Sequence, residues 1–430
     1  MDAGEEAVVA VVCVHARVRA GSDASESEVE AAVGRFVRDA RGGIDDARAG
    51  WEVREREDDR ARAIGAYVWE HVDRMYVADV AWAEGAVRSR RLLACSCRVV
   101  ARAYRLADAS AGDEEGEDGA LCRERALPCR ALEDAWESLE FEDDSIKDRL
   151  MRYSATAVVF GERDVRASLV SWNRVVLLHG PPGTGKTTLC KALAQRLSIR
   201  FCHEYAKSVL VEVNAHSLFS QYFSESPKTV SKLFRRIHEL IDSGDSLVFV
   251  MIDEVESLAA ARTSALGGSD PSDAIRVVNA LLTHIDALKS QPNVLVLATS
   301  NITKSIDLAF VDRADIKCYI GPPGLRARYE ILRSSVLELM HRGLLEGTAP
   351  RRFDDAATVE CETSRELHIA AEACDGLSGR MMRKLPFLSY AAITSIGTCS
   401  VEKFIRALRS QALSEISDSQ RIRDNENNLQ

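Results

Sequence analysis

Three short apolar runs mark the middle of the chain: RVVLLH at 174–179, LVFVMIDE at 247–254 and VLVLAT at 294–299. Each has the length of a strand rather than of a helix, so the pattern predicts a buried sheet interleaved with helices. A helix is expected over 188–197, directly after the first run. The alternation extends from about 172 to 321. From 325 to 417 the chain reads as helical, and the polar residues 418–430 read as a frayed, flexible tail. Upstream, a strand is expected near 8–18, a helix over 28–40 and a half-buried strand over 97–104. Trp51, Trp69 and Trp82 read as core or half-exposed anchors. Leu132, Trp136 and Leu139 fall near one face of an expected amphipathic helix over 132–139. The apolar residues of 146–160 suit the support of a nucleotide pocket, or simple packing.

The predicted architecture is α/β. It has a small α+β N-terminal domain (1–108), an acidic linker (109–126), a large α/β domain with a parallel central sheet (127–321) and a helical domain (322–417). The linker assignment rests on AGDEEGEDGA at 111–120, whose carboxylates repel one another and which offers almost nothing apolar to bury.

Charge and cysteine content change the picture modestly. The formal net charge of −10 argues against a broad nucleic-acid-binding surface and makes proteins the better macromolecular partners. No stretch of 18 apolar residues suggests a membrane span, and the acidic N-terminus lacks the basic region of a secretory signal. Eleven cysteines, an odd number, do not suggest a disulfide framework and fit a reducing compartment. Cys95, Cys97, Cys122 and Cys129 miss the usual zinc spacing and read better as buried thiols.

The chemistry concentrates where the first strand runs into a glycine-rich turn. Gly180, Pro181, Pro182, Gly183, Thr184, Gly185, Lys186 and Thr187 spell GPPGTGKT between a strand and a helix, the Walker A arrangement. Glycines let the backbone wrap a phosphate, whose charge then faces backbone amides and the helix N-terminus. Thr188 continues this nucleotide-binding stretch. Lys186 can reach the β and γ phosphates, and the Thr187 hydroxyl can ligate magnesium. The second run ends in Asp253, placed to organise magnesium, and Glu254, placed to polarise a water. The third leads to Asn301, which suits a sensor of the γ phosphate or an ordinary polar strand end.

Two arginines extend the set. Arg313, in AFVDRADI, can project toward nucleotide on a neighbouring subunit, or pair with Asp312 or Asp315. Arg380, in GLSGR, can sense the γ phosphate from the helical domain, or sit on the surface beside a helix start. The runner-up class at this point is a nucleic-acid motor or loader. A nucleotide-dependent scaffold with little turnover is a third reading.

The motifs together resemble the AAA+ ATPase superfamily. The segments AHSLFSQYFSES, FVMIDEVESLAAAR, TSNITKSIDLAFVDRADIKCYIGPP and GLSGRMMRKLPFL resemble more narrowly the pachytene checkpoint protein group, and a plant member of it. That resemblance covers roughly residues 127–408. It implies an ATP- and Mg2+-dependent homohexamer that remodels HORMA-domain proteins of the meiotic axis, and of the spindle checkpoint through a HORMA adaptor. It implies a nuclear, chromosome-associated protein with a cytoplasmic pool, acting in recombination, synapsis and checkpoint control. It also places a substrate-gripping pore motif on SQYFS, with Tyr222 and Phe223 as the gripping aromatics. Many AAA+ proteins carry two arginines near the finger position, whereas AFVDRAD carries Arg313 alone.

Overall fold

A computed structural model describes residues 10–39, 53, 59–82, 97–107, 122–143, 145–166, 168–215, 226–257, 271–301, 308–356, 361–393 and 397–427. The N-terminal region builds a three-stranded sheet from β1 (Ala10–Val18), β2 (Val72–Trp82) and β3 (Cys97–Tyr104), with β1 central. β1 pairs antiparallel with β2 and parallel with β3. Helices α1 (Glu26–Asp39) and α2 (Asp59–His71) supply Val29, Val33, Phe36 and Val68 to a core shared with Val12, Val14 and Met75. Trp69 meets Phe36 edge-on, with centroids 5.9 Å apart, within the range favoured by aromatic pairs. The expected α+β character holds here, whereas α2 and β2 had no strong sequence pattern. Trp51 and the Trp82 side chain lie outside the described residues.

The second sheet has six strands in the order β4 (Cys122–Leu127), β6 (Lys207–Asn214), β7 (Ser246–Asp253), β8 (Val294–Ser300), β5 (Val175–His179) and β9 (Ile316–Tyr319). Five strands run parallel, but β4 lies antiparallel on the β6 edge. The sheet is therefore mixed rather than purely parallel. Residues 122–126, expected within the acidic linker, are instead part of this edge strand. Their charges had suggested solvent; they pair across it, Arg125 with Glu212 at 3.7 Å and Glu124 with Arg236 at 2.8 Å. Alternating charge is how an edge strand avoids open-ended pairing.

The three apolar runs are interior strands covered on both faces. Val175 and Leu177 face one core while Val176 and Leu178 face the other, following the two-residue period of a strand. One core is closed by α3 (Ser145–Glu162) and α4 (Lys186–Arg200). The other is closed by α5 (Ser226–Asp242) and α6 (Pro271–Leu288), whose Phe234 and His284 rings stack at 4.6 Å.

After the short α7 (Leu308–Val311) and β9, the chain enters a helical unit. It comprises α8 (Leu325–His341), α9 (Phe353–Ala356), α10 (Glu362–Ala373), α11 (Gly379–Ala392) and α12 (Val401–Asn427), with the two-residue strands β10 (Leu345–Glu346) and β11 (Cys399–Ser400) paired between them. Tyr329, Leu332, Phe404 and Leu408 fill its core. The tail expected from 418 onward continues α12 to Asn427 instead. None of the described helices is long and apolar enough to cross a membrane.

The segment after β4 forms a 3-10 turn at Arg130–Leu132 and successive turns, not the expected amphipathic helix. Leu132, Trp136 and Leu139 are nevertheless all buried. This segment joins the units. Glu133 pairs with Arg17 and Asp134 with Arg74, both from the N-terminal sheet. Glu137 pairs with Arg196 on α4, whose guanidinium lies 4.4 Å from the centre of the Tyr76 ring. Arg200 at the end of α4 reaches Asp79 at 3.3 Å. The N-terminal sheet thus docks on the C-terminal end of α4, the helix that carries Lys186 at its other end.

Candidate functional site

The site forms at the C-terminal ends of the parallel strands, where an open α/β sheet leaves a crevice. β5 delivers the chain into Gly180 at φ 146°, and a Cβ there would stand 2.2 Å from the Ile320 carbonyl oxygen on the neighbouring strand end. Only glycine fits. Gly183 and Gly185 also have positive φ, 76° and 95°, and Gly185 is the last residue before α4. The turn therefore curls tightly and leads directly into a helix N-terminus, where unpaired amides favour an anion.

Lys186 is 4% exposed and its ammonium donates to the carbonyls of Gly180 at 2.9 Å and Pro181 at 2.7 Å. Burial pushes its pKa down and Arg380 adds to this, while Glu256 and then Asp253 oppose it. Thr184 closes the turn by donating to the Pro181 carbonyl at 3.0 Å. Pro182 and Thr188 lie in the same stretch. A phosphate chain fits this donor set: a cradle that admits no side chain, a buried cation and the first turn of α4.

Asp253 ends β7 and accepts the Thr187 hydroxyl at 3.0 Å. An oxygen-only pair of this kind suits a hard divalent cation such as magnesium. Glu254 follows with φ 59°, a strained left-handed conformation for a non-glycine residue, of the kind concentrated at active sites. Asn301 follows β8 at the adjacent strand end. The three apolar runs thus bring Lys186, Asp253, Glu254 and Asn301 to one edge of one sheet.

The helical unit meets this edge directly. The Arg380 amide donates to the Gly183 carbonyl at 3.0 Å. Ser378 caps α11 through the Met381 amide, and a Cβ on Gly183 would stand 2.9 Å from its hydroxyl. Arg380 itself is exposed beside the Walker A turn. Arg383, one turn along, donates to the Ser138 carbonyl, while the Leu139 side chain lies 3.0 Å from the position a Gly185 Cβ would take.

Arg313 stands apart from these groups. Its guanidinium grips Asp286 on α6 through two hydrogen bonds, at 2.9 and 2.6 Å. Neither Asp312 nor Asp315, the partners suggested by sequence proximity, takes that place; Asp315 instead accepts from Tyr153 and the Asn173 backbone. Tyr222 and Phe223 lie outside the described residues. Cys97 and Cys129 are buried, as expected of packed thiols, whereas Cys122 on the edge strand is only half-buried and Cys95 lies outside the described residues.

Two residues of the site were not singled out by sequence. Thr299 donates to Asp253 and its hydroxyl accepts the Glu254 amide at 3.4 Å. Glu256 accepts the Asn301 amide at 3.1 Å. The available signal was positional: each lies within three residues of a flagged group in DEVE or LATSN.

Comparison with known proteins agrees with this geometry. Residues 176–322 match the model of the ATPase family associated with various cellular activities (AAA), and residues 324–416 that of the TRIP13-like AAA+ ATPase lid C-terminal domain. The chain is 50% identical over 375 residues to the rice (Oryza sativa subsp. indica) protein described as pachytene checkpoint protein 2 homolog, covering 82% of this chain and 78% of that one. The solved structure titled "Structure of C. elegans PCH-2" is similar with a TM-score of 0.76 at 32% identity, over 95% of this chain and 99% of that chain. A more distant likeness, of fold alone, is to the structure titled "Structure of E. coli MS115-1 HORMA:CdnC:Trip13 complex", with a TM-score of 0.52 at 18% identity over 68% of this chain and 95% of that chain. Walker A turn, mostly parallel sheet and helical lid together make the chain an ATPase, and it belongs to the pachytene checkpoint protein 2 family of AAA+ proteins.

Proposed function

We propose that the chain is a homohexameric, ATP-driven remodeller of HORMA-domain proteins that threads a substrate segment through a central pore and converts the closed HORMA state to the open one. Membership in the pachytene checkpoint family supports the client assignment. In this reading the protein acts in the nucleus on meiotic chromosomes, with a cytoplasmic pool and spindle-checkpoint clients reached through an adaptor. The N-terminal sheet engages client or adaptor, and Tyr222 and Phe223 grip the threaded segment.

The observation that supports an energy-coupled motor is the hydrogen bond from the Arg380 amide to Gly183. It seats the lid on the phosphate turn, so a change in the phosphates is felt at once by a second rigid body. Backbone amides of 183–188 and Lys186 would hold the triphosphate, and Thr187 with Asp253 would hold Mg2+. Magnesium would neutralise charge on the transferring phosphoryl group. Glu254 takes a proton from the attacking water, and Asn301 orients that water. Arg380 reads the γ phosphate within its own chain. Arg313, on leaving Asp286, reaches the nucleotide of the neighbouring subunit, where it offsets charge developing during transfer.

Purified protein, MgATP and a closed HORMA protein carrying a labelled peptide test the proposal. Peptide release that depends on ATP and is lost in Tyr222→Ala, with basal hydrolysis largely kept, is the expected result. Active hydrolysis with no release, with or without adaptor, refutes the client assignment. Stimulation by DNA instead would mark a nucleic-acid motor.

A further inference from the structure

We propose that Glu256 is a positioning residue for ATP hydrolysis, holding the Asn301 end of β8 in register with Asp253 and Glu254. The last residues paired across β7 and β8 are Ile252 and Ala298. Beyond them the regular ladder stops, yet every group assigned to the chemistry of the attacking water comes after that point. What replaces the ladder is a short zipper. The Val255 amide donates to the Thr299 carbonyl at 3.0 Å. The Glu254 amide reaches the Thr299 hydroxyl at 3.4 Å, and that hydroxyl donates to Asp253. The Glu256 carboxylate closes the series by accepting the Asn301 amide at 3.1 Å.

This last bond stands where a backbone carbonyl would in a continuing strand pair. A backbone N–H at such a strand end needs an acceptor, and a carboxylate is a strong one. Glu256 therefore sets the height of Asn301 relative to Glu254. Its other oxygen, Oε2, is buried and receives no hydrogen bond among the described residues. A buried anionic oxygen left unmatched is costly, and an acid in a purely structural role would be expected to find two donors. The same acid supports the positive charge of Lys186 more strongly than Asp253 does. Glu256 is thus coupled by charge to Lys186 as well as hydrogen-bonded to the sensor strand.

The proposal rests on the ATPase reading of the site, so Glu254→Gln serves as the control. Steady-state kcat and KM for ATP, and binding of a fluorescent ATP analogue, are measured on the full chain for Glu256→Ala, Glu256→Gln and Glu256→Asp. Loss of the Asn301 anchor misplaces a group at the reacting centre, so Glu256→Ala should lower kcat about 10²-fold with KM changed less than about threefold. Glutamine keeps the carbonyl reach and should recover much of that loss. Aspartate keeps the charge but is one methylene short, and should stay low. Near-wild-type kcat in Glu256→Ala overturns the proposal. So does a better kcat for aspartate than for glutamine, or an effect confined to KM and analogue binding. If the alanine variant fails to fold, the order of glutamine and aspartate decides. Unchanged turnover in Glu254→Gln would instead fault the assignment of the site itself.

Discussion

Arg196 offers the most direct test of how the N-terminal sheet is held. It is 3% exposed, and its guanidinium stacks 4.4 Å from the Tyr76 ring centre and 6.0 Å from that of Trp136. It also pairs with Glu137. Arg196→Ala removes a desolvated cation–π contact worth about 2 kcal/mol. It also removes a charge-assisted bond worth about 1 kcal/mol, a modest value because the Glu137 side chain is 25% exposed. The loss of about 3 kcal/mol falls on the docked interface rather than on the ATPase core. A domain of this size loses about 4 °C or more per kcal/mol, so the transition involving the N-terminal sheet should fall by about 12 °C. Differential scanning calorimetry should resolve it as a separate, earlier transition, with the ATPase transition nearly in place. Arg196→Lys keeps the charge but loses the planar stacking surface, and should fall between. A single transition within about 2 °C of wild type, in a folded variant, refutes the assignment of docking energy to Arg196 and leaves it to the rim pairs of Glu133 and Asp134.

Glu254→Gln should retain ATP binding while turnover drops by about 10²-fold or more, the usual contribution of a general base, as read by phosphate release against analogue binding. Gly180→Ala places a methyl group 2.2 Å from the Ile320 carbonyl oxygen at a φ of 146°, so nucleotide affinity should fall at least about tenfold and the melting temperature should fall with it. Arg313→Ala should lower kcat by about 10³-fold if Arg313 acts on a neighbour's nucleotide, and mixing it with Glu254→Gln subunits should restore part of the turnover. A purely structural Arg313 would show a stability loss without such complementation. Asp286 gives a pH test: its hydrogen bond from Arg313 comes first, and Lys289 also helps, in holding its carboxyl below the ordinary value of 3.8. A depressed carboxylate stabilises the fold fully above that value and loses its contribution as pH falls below it. Asp286→Asn should therefore flatten the decline of melting temperature as pH falls below about 4.

The Walker A turn was legible from sequence because its chemistry is local. Glycines, lysine and threonine act within eight consecutive residues, and the strand before and helix after them are set by their own apolar patterns. The strands at 247–254 and 294–299 were legible for the same reason, since continuous apolar runs have no solvent-exposed alternative. The strand at 122–127 was not, because CRERAL buries little by itself. Its partners Glu212 and Arg236 lie far along the chain. The segment 132–139 shows the limit of periodicity. Its apolar residues were rightly read as buried, but a chain of turns spaces them as well as a helix does.

Sequence by itself determined that this protein binds phosphate, which residues carry the charge, and which family it resembles. Tertiary structure decided what those residues meet. It turned Arg313 to Asp286, set Glu256 against Asn301, rested the lid on Gly183, and placed the N-terminal sheet on the far end of the helix that begins at Lys186. The reason is range. Backbone conformation and hydrophobic period are written in neighbouring residues, whereas hydrogen bonds and ion pairs between elements depend on which strand ends and helix faces the packed core brings together.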